Sequence, residues 1–253
     1  MRTKTLLLSV GALLAAGFVS SQAQPVYSQN IVGYASLPTP GDGATYYMLT
    51  CPFVIGASNG LNEVFGTNTL PDTSTVLTWT GGSYQAAVYA TIGDENIPGV
   101  QWYTDQSEST PLNPMPTIPP GKSFFIQPAP GLVTNVFAGV VATPVGGTNR
   151  MTIVGDGATY YAVASVIPFA GYITNAVNLT NLPDTSVVLT WTGGSYLSTV
   201  FASADDENIP GVQWYTDQSE STPAPCPFVS VGEGFFIQPA PGTFTWSQTL
   251  PSN

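Results

Sequence analysis

The string DENIPGVQWYTDQSESTP occurs twice, at residues 94–111 and 206–223, without one difference. GDGATYY recurs at 41–47 and 155–161, and FFIQPAPG at 124–131 and 235–242. LPDTSTVLTWTGGSY (70–84) returns as LPDTSVVLTWTGGSY (182–196), with Val187 in place of Thr75. Spacings of 111 to 114 residues mean one unit written twice with small insertions. A period this long indicates duplicated domains or half-domains rather than a solenoid. The segments between the blocks diverge, so identity is clustered. Local constraint and patchy gene conversion both produce that pattern, and the sequence leaves both open.

Strand signals fill each unit. VVLTWT and SYLSTVFA flank Gly193-Gly194, and the same hairpin is written around Gly81-Gly82. A two-residue glycine loop supplies the positive φ that tight hairpins need. It sets Trp79 opposite Tyr84 and Trp191 opposite Tyr196, pairings that help fix register. KSFFIQPAP and EGFFIQPAP read as short apolar strands closed by proline, and 30–37, 132–141 and 243–250 as further strands. Only GLNEVFG (60–66) and ITNAVNL (173–179) resemble single helical turns. The expected fold is all-β: two tandem β-sandwich-like, or partly open barrel, repeats related by a pseudo-twofold axis.

Residues 1–23 read as a secretory signal, with Arg2 and Lys4 before the apolar run Thr5 to Val19 and a small-x-small ending at Ala23. The expected division is signal 1–23, repeat 1 at 24–142, a linker at 143–154 and repeat 2 at 155–253. The resulting expectation is a secreted, extracellular or cell-surface protein, with the periplasm as an alternative and no membrane span after cleavage. Beyond the signal, two cations, Lys122 and Arg150, face fifteen carboxylates. No basic patch for nucleic acid can be built from them. Cys51 and Cys226 are the only cysteines, and in an exported chain they read as a disulfide or as two separate buried thiols.

The TCPFV strand, the WTGGSY hairpin and the closing PPGKSFF or VGEGFF strand together resemble a repeat found in exported proteins of environmental, verrucomicrobial-type Gram-negative bacteria. There a mature start like VYSQNIVGY leads into units ending in Gly-x-Gly-Phe-Phe. Repeat 2 fits that ending, whereas repeat 1 carries Ser123 where the second glycine would stand. The resemblance implies export and a β-rich fold and transfers no catalytic or binding residue.

The chain contains no histidine, which removes the commonest general base and zinc ligand. Paired carboxylates flanking the QWYT segments admit glycoside hydrolysis as one reading. Calcium is another, through Asp94, Glu95 and Glu108 in the first copy and Asp206, Glu207 and Glu220 in the second; the plainer alternative is a solvated acidic loop. A third is a sugar-binding face. Alternation in VQWYTD puts Trp102 and Tyr103 on opposite faces. With Trp102 inside, Gln101, Tyr103 and Asp105 line the outer face, matched by Gln213, Tyr215 and Asp217; the plainer alternative is a core Trp with a Tyr that simply decorates the sheet. The expected role is therefore a non-enzymatic structural, adhesion or surface-attachment protein that meets extracellular polysaccharide or matrix. A carbohydrate-binding module of a polysaccharide-degrading system comes second, and a carboxylate-dependent glycoside hydrolase third.

Overall fold

The computed structural model describes residues 31–66, 70–91, 97–142, 147–176, 179, 181–203, 209–211 and 213–249. The chain is all-β, built of antiparallel sheets that do not close into a barrel. In repeat 1, β1 (Val32–Gly41) pairs along its length with β8 (Gly131–Val141), and β3 (Phe53–Val54) pairs with the end of β8. A five-stranded sheet lies over this one. It comprises β2 (Tyr47–Thr50), β4 (Thr75–Trp79), β5 (Tyr84–Tyr89), β6 (Trp102–Tyr103) and β7 (Ser123–Gln127), in the order β2-β7-β4-β5-β6. Between the two sheets sits the first core, with Ala35, Phe137 and Val133 on one side and Val76, Phe124 and Ile126 on the other.

Repeat 2 reproduces this plan. Its outer pair is β9 (Thr148–Gly155) with β17 (Gly242–Thr249). Its five-stranded sheet takes β10 (Tyr161–Ala164), β12 (Val187–Trp191), β13 (Tyr196–Phe201), β14 (Trp214–Tyr215) and β16 (Gly234–Gln238) in the order β10-β16-β12-β13-β14. A small ladder of β11 (Gly171–Tyr172) and β15 (Phe228–Val229) completes it. The second core gathers Val188, Phe201, Phe235, Phe244 and Trp246. Each repeat has one short helix where a helical turn is expected, α1 (Leu61–Phe65) and α2 (Ile173–Ala176). At α1 the Glu63 carboxylate accepts from the Gly60, Ala57 and Ser58 amides, so the helix start is satisfied by its own third residue.

A third cluster lies between the repeats. Met48, Phe125 and Phe236 are buried there, flanked by Tyr46, Leu77, Trp79 and their equivalents Tyr160, Leu189 and Trp191. The Phe-Phe-Ile run explains this: Phe124 and Ile126 face the first core while Phe125 faces the other repeat. A strand buried on both faces reads as a continuous apolar run, not an alternation. The Thr50 amide donates to the Gly232 carbonyl at 2.8 Å, and the equivalent Ala164 amide to the Gly121 carbonyl at 2.9 Å. These reciprocal bonds mark a pseudo-twofold axis between the repeats.

Two expectations are corrected. Residues 148–154 belong to β9 and pair with β17, so they are part of repeat 2 rather than a linker; 143–146 and the signal at 1–23 lie outside the described residues. Cys51 and Cys226 are not bonded to each other. Cys51 is buried in the first core, where its thiol donates to the Phe53 carbonyl at 3.4 Å. Cys226 packs on the second core with its sulfur 3.4 Å from Thr174 Oγ1. The two therefore pack in different cores. Burial also pushes the Cys51 thiol up to about 11, so it stays protonated.

Candidate functional site

The eighteen-residue identical block carries no aromatic platform. Tyr103 and Tyr215 are 0% exposed, which overturns the surface sugar site. The strand at this point is only Trp102–Tyr103, too short for alternation to place one ring outside. The turn before it folds back over the ring, and the Tyr103 hydroxyl accepts from the Ile97 amide at 3.2 Å; Tyr215 does the same with Ile209. Trp102 is buried as expected, its indole N–H donating to Asn62 Oδ1 at 2.8 Å. Gln101 and Gln213 are half-buried, and their carbonyls accept from the Ala90 and Ala202 amides.

The acidic loops close on themselves. Asp105 Oδ1 accepts from the Ser107 amide at 3.0 Å and from the Ser109 hydroxyl at 3.2 Å, with the Ser107 hydroxyl also bonded to it. Asp217 is held the same way by Ser219 and Ser221. The Ser107 and Ser219 hydroxyls, before all other causes, lower the Asp105 and Asp217 carboxyls from 3.8 to about 2. A carboxyl so depressed is a poor general acid. Glu108 and Glu220 are buried at φ 51° and 52°, each amide donating to the preceding Asp105 or Asp217 carbonyl at 3.2 Å. Asp94, Glu95, Asp206 and Glu207 lie outside the described residues. Among the described residues no group of three or more acidic or cysteine side chains is placed to hold a metal.

A concave surface built by both repeats lies elsewhere, over the axis between them. Tyr84 and Tyr196 stand 41% exposed with hydroxyls 3.2 Å apart. They cap Phe125 and Phe236, whose rings stack at 6.4 Å. A cleft opens on each side of the tyrosine pair. One, of about 340 Å³, is lined by Trp79, Tyr84, Tyr160, Leu189, Tyr196 and Phe236. The other, of about 140 Å³, is lined by Trp191, Tyr196, Tyr46, Leu77, Tyr84 and Phe125. These are the same six side chains with the repeats exchanged.

Each cleft is tied together by hydrogen bonds between the repeats. Trp79 packs edge-on against Tyr84 at 4.8 Å and donates its indole N–H to the Tyr160 carbonyl at 2.7 Å. Trp191 does the same with Tyr196 at 4.8 Å and the Tyr46 carbonyl at 2.7 Å. Burial first, then the Tyr84 hydroxyl, pushes the Tyr196 phenol above its ordinary value of 10, so that phenol stays protonated. Among the described residues no charged side chain lines either cleft. The sequence reading found Trp79-Tyr84 and Trp191-Tyr196 as register pairs but missed them as a site. The available signal was that WTGGSY and FFIQ repeat unchanged in both copies.

No protein-family model matches the chain, and no curated protein or solved structure matches it significantly. No helix among the described residues is long and apolar enough to cross a membrane.

Proposed function

We propose that this chain is an exported, non-enzymatic attachment protein whose paired aromatic clefts hold an extracellular or cell-surface polymer. The observation that carries this reading is the construction of one cleft twice, from the same six residue types, about a single axis. Two matched sites on a rigid body raise apparent affinity for a repeating target through effective concentration. The cleft side chains stack and pack, and none of them carries a charge or a proton-transferring carboxylate. Their aromatic character also favours a second reading, a carbohydrate-binding module serving a polysaccharide-degrading system.

The test is co-sedimentation of the mature protein with insoluble matrix material, comparing the wild type with a Tyr84→Ala/Tyr196→Ala variant of matched thermal stability. The expected result is at least about a tenfold loss of retention, roughly 1.4 kcal/mol. Equal retention of the two proteins removes the clefts as the contact surface. N-terminal sequencing of the exported protein is expected to begin at Gln24.

A further inference from the structure

We infer that the two clefts form a single trough for one uncharged glycan chain, with a sugar ring seated on each side of the tyrosine pair. This rests on the clefts being the contact surface and adds the ligand class. Both clefts include Tyr84 and Tyr196, so they are contiguous. A ligand leaving one cleft crosses the hydrogen-bonded tyrosines directly into the other. Adjacent copies of one site suit a polymer of similar rings better than an isolated small molecule.

The lining selects the chemistry. A sugar ring has an apolar C–H face that packs on aromatic rings and a rim of hydroxyls, and the phenols of Tyr84 and Tyr196 donate and accept at the mouth. A fully apolar ligand would leave unused the hydrogen-bonding capacity that remains to those phenols beyond their mutual bond. An anionic polymer meets no cation in the lining, and the whole chain carries a net charge of −11. The larger cleft, about 340 Å³, stands at the lower end of the roughly 300–1,000 Å³ usual for ligand sites. The smaller one, about 140 Å³, contacts a ring without enclosing it. Because the axis reverses one cleft relative to the other, successive rings meet oppositely directed sites. Ring stacking tolerates that reversal, whereas a directional hydrogen-bond array does not. The trough is composite: Trp79 and Tyr84 come from repeat 1 and Tyr160, Leu189 and Phe236 from repeat 2.

The experiment titrates the mature full-length protein with neutral gluco- and manno-oligosaccharides of increasing length, and with oligogalacturonates as the anionic control. Calorimetry gives the stoichiometry, and tryptophan emission reports on Trp79 and Trp191. The expected result is an affinity step of more than tenfold once the oligosaccharide spans both clefts, a plateau at one chain per protein, and a change in tryptophan emission. Tyr84→Ala is expected to abolish the step. Tyr196→Phe, which keeps the ring, should weaken binding several-fold without changing stoichiometry. Two independent sites without length dependence, preference for the anionic series, or no binding by any neutral oligosaccharide overturns the inference. If matrix retention still depends on Tyr84 and Tyr196 when every neutral glycan fails, the ligand class is wrong and the attachment reading stands. If both fail, both are wrong.

Discussion

Tyr103 is legible in the sequence as a strand aromatic but not as a buried one. Alternation decides a face only when neighbouring strands fix the plane, and here a turn from the same block covers what would be the open side. The acidic residues show the same limit, since composition counts carboxylates without showing that serines two and four positions on consume them. Their chemistry leads to a pH prediction. Asp42 and Asp156, held by Thr45 and Thr159, and Asp105 and Asp217, held by serines, are all lowered from 3.8 to about 2. Their folded values lie below the unfolded one, so their contribution is complete above about pH 4 and is lost as pH falls toward 2. Melting temperature should therefore drop between pH 4 and pH 2, and Asp42→Asn with Asp156→Asn should make that drop shallower. An unchanged acid limb in the double variant removes these loops as its cause.

The hairpins were the most readable elements, because turn chemistry and register are local. Trp79 pairs with Tyr84 and Trp191 with Tyr196, as the glycine loops require. The Thr80 amide closes the turn on the Ser83 carbonyl at 2.9 Å. The two glycines of each loop have different duties. Gly81 sits at φ 98° and Gly193 at φ 93°, while Gly82 and Gly194 lie outside the left-handed region. A Cβ at any of the four meets nothing within 4 Å, so only backbone strain is at stake. Gly81→Ala and Gly193→Ala should each cost about 1–2 kcal/mol in denaturant unfolding. Gly82→Ala and Gly194→Ala should stay within about 0.5 kcal/mol. Equal effects at all four positions contradict the assigned turn geometry. What the elements could not show was their stacking, because the Phe-Phe-Ile run is equally apolar whether its second face meets solvent or another sheet.

At the scale of the molecule, the axis between the repeats explains an irregularity visible in the sequence from the outset. Ser123 occupies the place taken in repeat 2 by Gly234, and the structure sets these two equivalent positions against each other across the axis. A Cβ on Gly234 would lie 2.3 Å from the Ser123 Cβ and 3.3 Å from the Leu49 carbonyl. There is room for one side chain and not two, so the duplicated unit cannot carry serine in both copies without displacement. Ser123 is fully buried, and its hydroxyl has no hydrogen-bond partner. Gly234→Ser should therefore overpack the axis and cost about 1–3 kcal/mol. Ser123→Gly removes the unpartnered hydroxyl but adds backbone freedom to the unfolded chain, and these opposing terms should leave it within about 1 kcal/mol of the wild type. The exchange Ser123→Gly/Gly234→Ser moves the one side chain to the other half of a pseudo-symmetric site. Its stability should return to within about 1 kcal/mol of the wild type, and the middle of these ranges gives the two positions a coupling energy of about 2 kcal/mol. Denaturant unfolding of the four proteins measures that coupling. Additive costs would mean that the two repeats do not meet face to face at these residues, and the composite clefts would lose their foundation with them.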